Sequence, residues 1–248
     1  MSQISIPATI HYCWFGGSPL PKSAERCIAS WKMYFPDWEI RVWNEDHFDV
    51  KMIPYTREAY ERKKYAFVSD YARFYILYHY GGLYFDTDVE MIRPMDDIAA
   101  RGPFMGIEQS THTVGVNPGL GMGAVPGMAF YKDMLDYYAD LHFVDEYGVQ
   151  LPGTIVKHTT DRLCRYGFHP ENEQQQVAGI QIYPNDWFNP LDDATGRVVI
   201  TENTRSIHHY AKTWIEHYGP LRIWITRRLH RIFGVDTLRR LRNIFVSD

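Results

Sequence analysis

Three cysteines, Cys13, Cys27 and Cys164, are spread through 248 residues with no CxxC spacing, which leaves neither a disulfide framework nor a zinc cluster to be read. A chain of this length buries roughly 70 to 75% of its unfolded surface and needs no such staple. Unpaired thiols fit a reducing compartment. Long apolar runs are also missing. The longest stretch without charge, residues 109–131, holds five glycines and two prolines, which excludes a plain membrane-spanning helix. The opening MSQISIPATIHYCWFGG has no basic region followed by a long apolar one, so no secretory signal is expected. Neither internal repeats nor low-complexity segments occur. With 45% hydrophobic and 23% charged residues the composition is ordinary for a folded domain, and disorder, collagen-like repeats and coiled coils are excluded.

Net charge is small, −4, but unevenly spread. Residues 220–248 carry seven arginines against two aspartates, +5, which leaves −9 on residues 1–219. The expected division is therefore a folded domain over 1–219 and a basic amphipathic helical tail over 220–248. A cationic tail with interleaved apolar residues on an acidic body points to an anionic membrane surface more than to nucleic acid, for which no basic groove is visible. Leu221, Ile225, Leu229 and Ile232 share one helical face, and Asp236 is placed to cap a second helix carrying Leu238, Leu241 and Phe245.

Strand patterns at 9–15, 39–43, 83–85, 89–92, 181–183 and 197–201 alternate with helical ones at 21–34, 65–80, 128–141 and 154–166, which predicts an α/β sheet. Segment 65–80 is apolar almost all round, as a buried helix would be, and Gly81-Gly82 stops it. Charge runs such as 58–64 and Asp192-Asp193 are expected to face solvent.

The most informative chemistry is Asp86-Thr87-Asp88. Residues i and i+2 at a strand end project to one side, so two hard oxygen donors can share a divalent cation that keeps positions open for phosphates. A lone DxD also arises by chance, and its surroundings decide its weight. Asp70 and Arg73, one turn apart on the apolar helix, need partners: each other, or a pocket in which they meet sugar and phosphate oxygens. Trp14 ends the first strand, where open α/β sheets present ligand loops; its indole either stacks on a base or fills the core. Gly16 and Gly17 permit close backbone approach to a nucleotide or simply make a turn.

Together IPATIHYCWFGG, SDYARFYILYHYGGLYFDTDVE, NPGLGMGAVPG, IYPNDWFNP and NTRSIHHYAKTW resemble the DXD-containing glycosyltransferases of family 32, among them bacterial capsular and exopolysaccharide enzymes and yeast Golgi mannosyltransferases. The central motif is also similar to the catalytic core of clostridial glucosylating toxins. The resemblance implies a GT-A fold, Rossmann-like α/β with the DXD after a central strand. It also implies transfer of a hexose from a nucleotide sugar with retention of configuration. It sets Asp70 and Arg73 against the hexose and Asp86 and Asp88 on Mn2+ or Mg2+. Tyr84 falls at the donor and Asn117 in a Gly-rich loop near the reaction centre, although Pro118-Gly119 replace the family's usual small pair. His208 falls at the metal or diphosphate, followed by Thr213-Trp214 where the family has Ser-Trp, so Trp214 joins the donor site.

These expectations combine into a metal-dependent hexosyltransferase that takes galactose or glucose from a UDP-sugar to a lipid-linked polysaccharide precursor, peripheral on the cytoplasmic membrane face. A toxin-like enzyme acting on protein hydroxyls and a non-catalytic carbohydrate-binding protein are the alternatives. The first would carry an acceptor-docking insertion that this chain is too short for, and the second would not need both aspartates.

Overall fold

The structure, a computed structural model, describes residues 6–211 and 220–235. The chain runs β1 (Thr9–Cys13), α1 (Lys22–Tyr34), β2 (Glu39–Trp43), α2 (Pro54–Glu61), α3 (Tyr65–Tyr80), β3 (Gly82–Tyr84), β4 (Val89–Met91) and α4 (Asp96–Arg101). It continues through β5 (Phe104–Gln109), β6 (Val114–Ala124), α5 (Ala129–Ala139), α6 (Ile155–Cys164), β7 (Gln175–Val177), β8 (Ile180–Tyr183), α7 (Asn185–Phe188), β9 (Ser206–His208) and α8 (Pro220–Phe233). A seven-stranded sheet has the order β2-β1-β3-β6-β5-β8-β7, and β4 pairs with β9 in a separate ribbon. Pairs β1–β2, β1–β3 and β5–β8 are parallel, so β6 and β7 alone run against the other strands of this sheet. This is the α/β architecture expected for the GT-A type.

The sheet is buried on both faces because its residues alternate with the strand period of two. Ile10 and Tyr12 of β1 and Leu83 of β3 join one core with Trp31 and Phe35, while Cys13 and Tyr84 join the other with Phe74 and Leu77. Helix α3 packs against α2, α5, β1 and β3, which explains its apolar circumference. It ends at Gly81, whose φ of 64° and N–H to the Leu77 carbonyl close the helix. A Cβ there would meet the Ala124 oxygen at 2.9 Å, so only glycine fits the turn that feeds β3.

Three expectations are corrected. The Gly-rich uncharged stretch read as a loop around Asn117 contains the long strand β6, whose residues from Gly115 to Ala124 are all buried. A strand central in a sheet and covered on both faces wants small, uncharged residues, and glycine supplies them where neighbours crowd in. Among the described residues the extended run at 197–201 joins no ladder beyond the single bridge Leu191–Val198. Nor are the acidic runs wholly solvated. Glu58 accepts from the Phe143 N–H at 2.9 Å and from His142, and Asp193 pairs with Arg227 at 3.2 Å. The second tail helix from Asp236 lies outside the described residues, as do residues 212–219, and with them Trp214.

His11 joins strand and helix chemistry. It is 1% exposed, accepts from the Trp43 indole N–H at Nδ1 (3.0 Å) and lies 3.1 Å from the Gly81 oxygen through Nε2. With Nδ1 accepting, Nε2 carries the proton, so the ring sits neutral. Burial pushes its pKa from 6.5 down to about 4, against a smaller upward pull from the Gly81 carbonyl. Because the folded value lies below the unfolded one, the associated stability is complete above pH 6.5 and is lost as pH falls through about 4. Its size is about 3 kcal/mol. Urea unfolding at pH 7.5 and pH 4 is expected to show a drop between the two pH values that is smaller by that amount in His11→Gln.

Candidate active site

The site forms at the carboxyl edge of β1 and β3, where parallel strands release their loops. Helix α3 brings Asp70 and Arg73 to this edge on one face. Arg73 is 2% exposed, and its Nη2 lies 3.1 Å from Asp70 Oδ1 and 3.2 Å from Asp86 Oδ1. Its Nε donates to the Ser69 carbonyl at 3.0 Å, and its guanidinium carbon stands 4.9 Å from the centre of the Tyr84 ring. The Tyr84 hydroxyl donates to Asp86 Oδ1 at 3.0 Å. Asp70 and Arg73 are an internal pair, and both also line the cleft. Burial lifts the Asp70 pKa to about 7; Arg73 opposes this, and the nearby Asp86 charge adds to it.

After β3 the chain turns at once. The Val89 N–H donates to the Asp86 carbonyl at 3.0 Å, which sets the two acidic side chains on one side before β4 begins. Strand β4 pairs antiparallel with β9 in the register Val89 to His208, and this register puts the imidazole beside Asp88, with Nε2 3.2 Å from Oδ1. His208 is the histidine at the acidic pair, while His209 turns outward to Glu90 at 2.8 Å. Ligand atoms of Asp86, Asp88 and His208 all lie within 4.8 Å of one another. Burial works against charge on both members of the Asp88–His208 pair. Their mutual attraction and hydrogen bonding override it, holding Asp88 down at about 2 and His208 up at about 9. The Ala211 N–H adds a hydrogen bond to Asp88 Oδ2 at 2.8 Å.

Strand β6 completes the floor. Met105 pairs with Met122 but the next residue, Gly106, pairs with Asn117, so residues 118–121 have no partner in β5. This irregularity carries Gly119 against the acidic pair: its carbonyl accepts from the Asp86 N–H at 3.2 Å. A Cβ on Gly119 would lie 2.2 Å from Asp86 Oδ2. Asn117 is 6% exposed, donates to Glu108 Oε2 at 2.6 Å and accepts from the Gly119 N–H at 2.7 Å. The departure at Pro118-Gly119 is thus where the strand bends to the aspartates.

These side chains border a cleft of about 910 Å³, whose wall also holds Trp14, half-buried with its indole N–H on the Ser18 carbonyl at 2.6 Å. Gly16 and Gly17 are not in that wall. A Cβ on Gly16 would strike the Tyr65 ring at 2.2 Å, and its N–H donates to Glu45, so Gly16 makes room for an aromatic residue that does line the cleft. Sequence reasoning missed Glu108, Gly119 and Tyr210. Tyr210 packs against His208 at 4.3 Å between ring centres, the two rings tilted by 54°. Gly119 lay in the Gly-rich stretch and carried a signal; Glu108 and Tyr210 carried none, because sheet pairing and loop closure alone bring them in.

Removing an atom's worth of space at Gly119 tests this floor. Gly119→Ala is expected to weaken Mn2+ binding at least about tenfold by displacing the Asp86 carboxylate, as measured by calorimetric titration beside the unsubstituted protein. Unchanged affinity would mean that Asp86 does not need its present position.

The description "glycosyltransferase sugar-binding region containing DXD motif" fits residues 21–105. Inositol phosphoceramide mannosyltransferase 1 of Schizosaccharomyces pombe is 31% identical over 231 residues, 83% of this chain and 69% of that protein. Mannosyl phosphorylinositol ceramide synthase SUR1 of Saccharomyces cerevisiae is 31% identical over 104 residues, 40% of this chain and 26% of that one. Among solved structures, the PaToxG glycosyltransferase superposes with a TM-score of 0.45 and 16% identity over 65% of this chain and 70% of its own. Given the extent of the match to the Schizosaccharomyces pombe protein, the chain belongs to the family of glycosyltransferases whose sugar-binding region carries the DXD motif, and it is a transferase.

Proposed function

We propose that the chain moves a hexose from a nucleotide sugar to a hydroxyl of a lipid-linked saccharide precursor, with retention and with a divalent cation. The observation that carries this reading is the meeting of Asp86, Asp88 and His208 beside the Asp70–Arg73 pair in one cleft. Two carboxylates and an imidazole suit Mn2+ better than Mg2+, which prefers an all-oxygen shell. The fit is supported by the donor set itself: His208 Nε2 lies 3.2 Å from Asp88 Oδ1, and the ligand atoms of all three residues lie within 4.8 Å of one another. Asp86, Asp88 and His208 would hold the cation, which when bound offsets charge on a departing diphosphate.

The protein's own groups do the rest. Trp14 offers an indole face to the base, and Asp70 accepts from hexose hydroxyls. Arg73, its donors turned to Asp70, Asp86 and the Ser69 carbonyl, acts mainly by holding those carboxylates in place. Asn117, oriented by Glu108, faces the sugar end of the cleft. The cleft carboxylates are committed to Arg73, His208, Asn117 or other partners, so front-face transfer without a covalent intermediate remains the preferred route. UDP-linked galactose or glucose is the first donor reading; mannose is the second, favoured by the names of the yeast relatives.

The membrane reading keeps its place but changes its physics. Among the described residues no helix is long and apolar enough to cross a bilayer. Helix α8 turns arginines inward, Arg227 to Asp193 and Arg231 to the carbonyls of Thr195 and Gly196. Its Ile225, Leu229, Ile232 and Phe233 face solvent, Ile232 at 69% exposure. We take this apolar face, more than the arginine charge first expected, as the part that enters the cytoplasmic leaflet, with 220–248 an appendage to a 1–219 transferase domain.

Two measurements decide. Nucleotide release is assayed with UDP-glucose, UDP-galactose and GDP-mannose. Release is expected to require Mn2+ and to fall at least about a hundredfold in a folded Asp88→Asn variant, about 2.7 kcal/mol or more; full activity in chelator would refute the metal role. Liposome flotation of Ile232→Asp/Phe233→Asp is expected to show several-fold weaker membrane binding at an unchanged melting temperature, and equal binding would return α8 to a purely structural part.

A further inference from the structure

A second cavity, about 630 Å³, lies between α8 and the body, and its wall includes Arg227, Arg228, Arg231, Trp224, His209 and Tyr210. Among the described residues no carboxylate belongs to this wall. The three guanidiniums are held differently. Arg227 spends Nε and Nη2 on Asp193, and Arg231 spends Nε and Nη2 on the Thr195 and Gly196 carbonyls, so the Nη1 group of each makes no hydrogen bond among the described residues. Arg228 is exposed, stacks 5.2 Å from the Trp224 ring centre and has no acidic partner among the described residues. His230 is fixed to the Ala194 carbonyl at 2.8 Å, and Gly196 has φ +66° and no room for a Cβ, which would lie 2.6 Å from Arg227 Cδ. Backbone carbonyls thus hold like charges together that would otherwise repel. Planar guanidiniums with donors to spare, gathered against one carboxylate, form a receptor for an oxyanion.

The position of this cavity gives it a role. Tyr210 and Ala211 line both this cavity and the main cleft, and the Ala211 N–H holds Asp88. An anion here therefore sits one stretch of backbone, Tyr210–Ala211, away from the acidic pair.

We propose that this cavity binds a phosphate group of the acceptor, so that the enzyme glycosylates a hydroxyl on a molecule already carrying a phosphate ester. The acceptor role rests on the reading of the main cleft as the donor site. The phosphate is a lipid headgroup or a small phosphorylated saccharide; the chemistry recognised is the same, and the guanidinium cluster holds it by charge-assisted hydrogen bonds.

The test is calorimetric titration of the full chain with monomeric dihexanoyl phosphatidylglycerol and, separately, with inorganic phosphate, each with UDP and Mn2+ present at saturation. One phosphate-bearing ligand is expected to bind alongside UDP, about tenfold or more weaker in Arg228→Gln and largely restored in Arg228→Lys. UDP affinity is expected to be unchanged in both variants. Much tighter binding of the lipid identifies a headgroup, and equal binding of phosphate identifies a small phosphorylated acceptor; either supports the site. The proposal is overturned if neither probe binds, if Arg228→Gln binds both as tightly as the unsubstituted protein, or if the lipid and UDP displace one another. Failure of UDP to bind in any of these titrations would count against the donor-site reading and leave the phosphate result to stand by itself.

Discussion

The Arg73 guanidinium, buried between Asp70 and Asp86, is the contact on which the site depends. It ties the middle of α3 to Asp86, the second residue after β3, across a core in which neither charge could stand alone. Removing one member of such a group typically costs about 3–5 kcal/mol, because the others are left buried without compensation. The same contact orients Asp86, with Tyr84 donating to one oxygen and Gly119 leaving space for the other. Stability and the geometry of the candidate site are therefore coupled at one place. A helix interior supplies the cation, and the strand end supplies the carboxylate it steers.

Around that centre, the fold brings short pieces together from distant parts of the chain. The β4–β9 ribbon carries His208 to Asp88 across more than a hundred residues, and the irregular pairing of β6 with β5 carries Gly119 and Asn117 under the acidic pair. Neither device has a strong local signature. A three-residue strand such as β9 has too few positions for alternation to be read, and a strand of glycine and small residues looks like a loop until its neighbours are known.

In helix α8 arginines dock the helix on the body while the stripe of Ile225, Leu229 and Ile232 remains outside. Guanidinium groups can do this because each offers several donors to carbonyls that a loop such as 193–196 leaves unpaired.

By itself the sequence determined the α/β class, the bounds of β2 and α3, the acidic pair, and Asp70 and Arg73 as charges in need of partners. Those features rest on periodicities and on the cost of burying charge, both of which act within a few residues. It did not determine which of His208 and His209 meets the acidic pair, since adjacent strand residues point to opposite sides and only the register with β4 chooses between them. Nor did it determine the roles of Glu108, Gly119 and Tyr210, the strand at 114–124, or the outward face of α8. Each depends on which surface another element presents, a property of the packed chain that no local run of residues contains.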